Sequence, residues 1–149
     1  MPEVDGFRYI LHCIGHFSRF HWLAPLKRKT TEETHDALRP FFGLVGLPDI
    51  LLSGNGTEFA NLEALVAEFP AKCSVRHGPP YEPQVQGMVE RYNAEVRKKI
   101  ASFHDDKWYK HLSHVTSMYI YFHISLISDL LGFTDKSLLS VRVTEQHDD

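Results

Sequence analysis

The order of the apolar runs constrains the fold of this chain most strongly. Two short runs rich in β-branched and aromatic residues, 9–14 and 20–26, flank a segment of turn-like composition and predict a β-hairpin. A helix, an apolar strand at 50–52, a second helix, a third apolar stretch at 73–75 and a further helix follow. This alternation predicts an α/β domain, in which helices cover a mixed sheet.

Residues that start and stop helices bound the first two helices. Thr30, with a glutamate three residues later, fits a capping box, and Gly46 is placed to end the first helix. Pro40 predicts a kink in that helix because proline cannot donate a backbone hydrogen bond. Asn61 is predicted to cap a second helix that runs to about Phe69.

The third helix has the most regular pattern and is predicted to begin near Gln86. Its apolar residues fall within an arc of roughly 100°, the width of a core-facing stripe: Val89, Tyr92, Val96, Ile100 and Phe103. Glu90 and Arg97 lie about 20° apart at the edge of that stripe. An acidic and a basic side chain are therefore expected to share one accessible groove.

Composition excludes several functional classes. The 149 residues are 43% hydrophobic and 23% charged, which is typical of one globular domain spanning 1–149. The formal net charge of −3 means that contact with nucleic acid requires a local basic patch. Cys13 and Cys73 are too few for a disulfide framework, so we expect a reduced, intracellular protein. No membrane span, secretory signal or small-molecule site is evident.

Three segments in register resemble the catalytic core of retroviral and retrotransposon integrases, particularly the Gypsy-like branch. They are YILHCIGHFSRF (9–20), LPDILLSGNGTEF (47–59) and HGPPYEPQVQGMVERYN (77–93). Gly-Phe-Thr at 132–134 is similar to a further family element. The resemblance implies a ribonuclease H-like mixed sheet flanked by helices, ordered over about 5–140. It also implies a core that lacks the family's amino-terminal zinc module and carboxy-terminal DNA-binding module.

The departures from the family pattern concern its catalytic carboxylates. The resemblance places Gly15 and Gly54 where two aspartates belong, and leaves Glu90 as the third carboxylate. Positions 54 and 90 enclose 35 residues, which is the family's characteristic interval. The family reaction uses two Mg²⁺ or Mn²⁺ ions, which require charged oxygen ligands. With Glu90 as at most the only ligand, we expect no bound metal and no strand transfer, which makes the chain a pseudoenzyme.

The resemblance also implies partners. The helix that carries Glu90 lies against DNA in the family, which makes four basic residues candidates for phosphate contact: Arg91, Arg97, Lys98 and Lys99. A homodimer is implied as well, with the aromatic stretch 118–122 in a buried or interface helix. Weak DNA binding would place the protein in the nucleus. The ten histidines show no metal-ligand spacing, so zinc is not predicted.

Other functions stay open at this point. If the core does not bind DNA, we expect it to be a scaffold for protein interaction. The negative net charge favours this function. An active nuclease with rearranged ligands would require new carboxylates. Asn55 and Glu58 are near Gly54 in the sequence, but both belong to the ordinary family pattern. Decay without a selected function is the remaining alternative, and the tail 143–149 is expected to be unstructured.

Overall fold

The computed structural model describes residues 3–15, 21–78, 83–119 and 138–145 of the chain. Its sheet has five strands: β1 (Tyr9–Gly15), β2 (His21–Leu26), β3 (Ile50–Ser53), β4 (Ser74–His77) and β5 (Leu138–Glu145). Their spatial order is β2-β1-β5-β3-β4. β1 is antiparallel to β2 and to β5, whereas β3 is parallel to β5 and to β4. The predicted mixed sheet and the predicted hairpin are therefore confirmed.

The central strand β5 is the main feature that the sequence did not predict. The expected end of order was about 140 and the tail 143–149 was expected to be unstructured, yet β5 continues to Glu145. Val141 and Val143 on this strand are buried in the core. For residues 143–145 the expectation was wrong because β5 has neighbours on both sides, and each supplies a ladder of backbone hydrogen bonds to a short segment; residues 146–149 lie outside the described part.

The first helix, α1 (Thr31–Val45), follows its predicted boundaries. The hydroxyl of Thr30 accepts a hydrogen bond from the Glu33 backbone N–H, and Gly46 ends the helix with a φ of 83°. The Glu33 carboxylate does not complete the capping box but accepts the backbone N–H groups of Lys27 and Arg28, each at 2.9 Å. The helix includes Pro40, and the kink expected there stays a prediction.

Later helices differ from their predicted limits. α2 (Leu62–Val66) is shorter than expected, and Asn61 precedes it in a left-handed conformation without a side-chain cap bond. α3 (Pro83–Ala101) begins three residues before Gln86 because proline suits the first turn of a helix, where no N–H donor is needed. A helical segment at 112–119, here α4, follows a short 3₁₀ turn.

The alternating side chains of β1 supply two cores on opposite faces of the sheet. Leu11 and Cys13 belong to a cluster that includes residues of α1 and α2. Ile10 belongs to a second cluster with residues of α3, the 3₁₀ turn and α4. Val96 and Ile100 of the predicted stripe are buried in the second cluster, with Tyr92 and Phe103 packed against it. In the part of the chain that the structure describes, no helix is long and apolar enough to cross a membrane.

Candidate functional site

Gly54 lies directly after β3 at one end of the sheet. It is exposed, and its backbone is outside the left-handed region that favours glycine. A Cβ atom at this position would have no neighbouring atom within 4 Å. An aspartate would therefore fit at position 54 without steric strain, so the local backbone does not require glycine.

The sheet register separates Gly15 from Gly54. Gly15 pairs with Leu139 of β5, and Leu139 pairs with Leu51, so these residues share one row across the sheet. Gly54 comes three residues after Leu51, on the far side of β5. With about 4.8 Å between strands and about 3.3 Å per residue, their Cα atoms are roughly 14 Å apart. Because β1 and β3 run in opposite directions, the two glycines lie towards opposite ends of the sheet.

Helix α3 contacts the sheet at strand β1. Ser53 is in register with Val141 and Cys13, so His12 is one row further in the direction of Gly54. His12 Nδ1 is 2.8 Å from Asn93 Oδ1 of α3. Glu90 is exposed and lies about one helical turn before Asn93. The structure thus places the helix that carries Glu90 against β1, where Asn93 contacts His12 and Tyr92 packs on Ile14, the residue before Gly15.

A series of hydrogen bonds between three side chains beside Gly54 was not predicted from the sequence. Ser53 Oγ is 2.8 Å from His77 Nδ1, and His77 Nε2 is 2.9 Å from Glu63 Oε1. A backbone N–H bond and the contact with His77 hold the pKa of Glu63 below its usual value. Ser53 is only 4% exposed. The hydrogen bonds from Ser53 to His77 and from His77 to Glu63 therefore connect β3, β4 and α2, and they do not present Ser53 as a nucleophile. Its three members are far apart in sequence, which leaves no local signal for them.

Glu58 is held by contacts that oppose a role as a replacement ligand. Its side chain is buried, and its carboxylate lies 3.5 Å from Lys29 Nζ. A Cβ at Gly56 would lie within 2.5 Å of this carboxylate, so a larger residue there would displace the Glu58 side chain. Among the described residues, no three His, Cys, Asp or Glu side chains form a group that could hold a metal ion. The chain's described side chains therefore do not fit the two-ion centre of the family.

The predicted phosphate-binding residues of α3 have different surroundings. Arg91 and Lys98 are exposed, and the Arg91 guanidinium lies 5.3 Å from the centre of the Tyr92 ring. Lys99 Nζ lies 3.9 Å from the centre of the Tyr119 ring, so its charge is engaged within the domain. Arg97 is half-buried. Arg91 and Lys98 are therefore the two members of the predicted set most available to a partner.

Several other sequence predictions concern residues outside the described part. The Gly-Phe-Thr element at 132–134 and residues 120–122 of the aromatic stretch lie there. Within the described part of that stretch, Met118 is 42% exposed and Tyr119 is buried.

Comparison with known proteins relates the chain to retroviral and transposon polyproteins. It is 30% identical over 118 residues to the Pro-Pol polyprotein of feline foamy virus, covering 77% of this chain and 10% of the viral protein. It is 31% identical over 107 residues to a transposon-derived protein of Caenorhabditis elegans, covering 71% of this chain and 37% of that protein. The chain thus spans only a small part of these relatives. No protein-family model matches it.

A solved structure supports the fold. The chain is similar to the catalytic core domain of BIV integrase, with a TM-score of 0.69 and 17% sequence identity over 82% of this chain and 89% of that chain. At this identity the similarity concerns the fold. The chain is thus a homologue of retroviral and transposon-derived proteins, and its fold is the ribonuclease H-like fold of a retroviral integrase catalytic core.

Proposed function

We propose that the chain is a catalytically inactive integrase-core domain, derived from a transposable element, that binds nucleic acid weakly through α3. The proposal rests on a mismatch: the chain has the fold of an integrase core but not the set of carboxylates that binds two metal ions in that family. Gly54, at the carboxyl end of β3, has no side chain to offer, and Glu90 is the one carboxylate left at the three positions where the family has its metal ligands. Two divalent ions would place four positive charges against this single acid, which cannot hold them.

Metal titration tests the loss of the two-ion centre. We expect calorimetry with MgCl₂ and MnCl₂ to show no two-ion binding by the natural chain. The same result is expected for a G15D/G54D variant, because roughly 14 Å separates the two backbone positions. The G54D variant should retain the stability of the natural chain, since a Cβ at position 54 meets no atom within 4 Å.

These variants separate the possible outcomes. Two ions bound by the natural chain would overturn the proposed inactivity, and magnesium-dependent cleavage abolished by E90Q would favour an active nuclease with rearranged ligands. Two ions bound by G15D/G54D alone would show that Gly15 and Gly54 do approach each other. Retained thermal stability of each variant is the control that makes a negative titration interpretable.

Electrostatics limits any DNA contact to a local and weak one. The chain has a net charge of −3, so attraction must come from the basic residues of α3. Arg91 and Lys98 are exposed on this helix, seven residues or about two turns apart, and so lie near one face. Contacts of this type are made to phosphates and do not read base sequence.

DNA binding by α3 should depend on salt and on these two residues. We expect the R91A/K98A variant to bind a short duplex more weakly than the natural chain. The slope of log affinity against log salt should fall by about 0.9 for each phosphate contact removed. Fluorescence anisotropy at several salt concentrations measures both effects. The matched control is K72A/K110A, which removes the same charge from two exposed lysines outside α3.

The same measurement distinguishes the second candidate function. A domesticated protein-interaction scaffold that does not bind DNA is favoured by the negative net charge. This scaffold function predicts no salt-dependent affinity for DNA. It also predicts that R91A/K98A and K72A/K110A do not differ in DNA binding. A homodimer and a nuclear location belong to the proposal as well, because they follow from integrase resemblance and from DNA binding respectively. Sedimentation of the natural chain tests the dimer.

A further inference from the structure

Two histidines lie side by side in the second core, between the hairpin and the helices. His12 of β1 is 2% exposed and His21 of β2 is fully buried. His12 Nε2 and His21 Nδ1 are 2.7 Å apart, and the two rings stack with centroids at 5.0 Å. A nitrogen–nitrogen distance this short is a hydrogen bond, so one proton lies between the rings.

The partner of His12 on α3 determines where the protons lie. His12 Nδ1 is 2.8 Å from Asn93 Oδ1, an oxygen that only accepts, so His12 donates its Nδ1–H there. In a neutral ring, Nε2 of His12 then has no proton and accepts the Nδ1–H of His21. The order of the bonds is therefore from His21 to His12 to Asn93, and it links β2, β1 and α3.

Both helices on this face of the sheet contact the pair. Tyr92 of α3 meets the His21 ring edge-on with centroids at 4.5 Å, and Tyr119 of α4 stacks on it with centroids at 4.0 Å. The pair thus lies where α3 and α4 meet the hairpin.

Charged groups lie close to Tyr119, which stacks on His21. Glu95 Oε2 is 3.4 Å from the Tyr119 hydroxyl, and Lys99 Nζ lies over the Tyr119 ring. On the neighbouring strand, Arg142 is the register partner of His12. Burial raises the pKa of Tyr119 well above its usual value, so its hydroxyl stays neutral throughout the range in which histidine titrates.

The shared proton limits how many protons the folded pair can hold. One extra proton can enter on His21 Nε2 while His21 still donates to His12. A second would have to enter on His12 Nε2, where it would point at the His21 N–H across 2.7 Å. The hydrogen bond would be lost and two cations would face each other in the core. In the unfolded chain both histidines protonate freely near pH 6.5.

We infer that the His12–His21 pair is a pH-sensitive latch that holds α3 and α4 on the sheet and opens when a second proton enters. At pH 5 the unfolded chain binds at least one more proton on these residues than the folded chain does. Stability therefore rises with pH, is fully present above about pH 6.5 and is lost as the pH falls. When the unfolded chain binds one proton more than the folded chain, the unfolding constant rises about tenfold for each unit by which the pH falls.

Urea unfolding of the full chain from pH 7.5 to pH 5.0 tests the latch. Between pH 6 and pH 5 we expect the unfolding constant of the natural chain to rise about tenfold more than that of H12Q/H21F, a variant with no titratable group at either position that keeps a ring between Tyr92 and Tyr119. The H104Q control changes an exposed histidine and should behave as the natural chain does. Equal pH dependence in H12Q/H21F and the natural chain would overturn the inference.

A second measurement needs no variant and keeps the test decisive if H12Q/H21F does not fold. Hydrogen-exchange protection factors at pH 7.5 and 5.5 should show that the amides of α3 and α4 lose protection before those of β3 and β4. Imidazole nitrogen signals should show only one extra proton on the pair while α3 stays protected. Two extra protons on the pair with α3 fully protected would contradict the latch.

Discussion

Deleting residues 138–149 is expected to abolish the folded state. This deletion removes β5, which pairs with β1 over seven residues and with β3 over four. Without it the sheet becomes two separate pairs of strands, and an isolated two-stranded pair is at best marginally stable in water. The buried side chains of Val141 and Val143 are lost as well. A domain of this size has a free energy of unfolding of only about 5–15 kcal/mol. We expect the lost strand pairing and burial to exceed that free energy.

Circular dichroism and urea unfolding would measure this loss. We expect the truncated chain to show no cooperative transition, whereas a chain shortened only by residues 146–149 should unfold as the full chain does. The shorter deletion leaves all of β5 in place and controls for the effect of a new carboxyl terminus. A cooperative transition of unchanged midpoint after removal of 138–149 would show that β5 does not occupy the centre of the sheet.

The position of β5 also explains the limits of sequence reasoning on the fold. The hairpin of β1 and β2 and the ends of α1 depend on neighbours within a few residues, such as Thr30 and Gly46, and these were predicted. β5 contacts residues more than 80 positions earlier in the chain, and although Ser140, Val141, Arg142 and Val143 alternate polar and apolar as a half-buried strand does, this local pattern does not place the strand at the centre of the sheet. The strand is defined by the ladders on its two sides, and these are not visible in the local sequence.

The same limit applies to the candidate site. The motif spacing placed Gly54 directly after β3 and Glu90 on α3, and the structure agrees with both placements. It also led to Gly15 as a second position of the same site, which the register does not bring near Gly54. Motif spacing fixes positions along the chain, whereas the direction of β1 relative to β3 depends on how the whole sheet is assembled.

Two layers of side chains hold this sheet, and their contents differ. The layer beneath α1 and α2 is almost entirely apolar, with Leu51, Leu62 and Phe41 among its members. The layer beneath α3 and α4 combines apolar residues such as Val115 with the buried imidazoles. Loss of packing in the second layer should therefore weaken the helix that carries Glu90 and the exposed basic residues.

Replacing Trp108 by alanine is expected to destabilise the domain by about 3–5 kcal/mol, the usual cost of removing a fully buried tryptophan. Trp108 is 1% exposed and lies in the same cluster as Ile100 of α3 and Leu112 of α4, so the cavity would form between the two helices and the sheet. At about 2–4 °C per kcal/mol, the melting temperature should fall by roughly 10 °C.

Far-UV circular dichroism is the suitable probe for W108A because the substitution also removes a fluorophore. The matched control is L44A, since Leu44 is 77% exposed on α1 and its truncation should change stability by less than about 0.5 kcal/mol. If W108A and L44A had the same melting temperature, the second core would not be packed as the structure has it. A large loss in W108A alone would show that α3 is held by buried contacts, which is the condition for any partner to find Arg91 and Lys98 on an ordered surface.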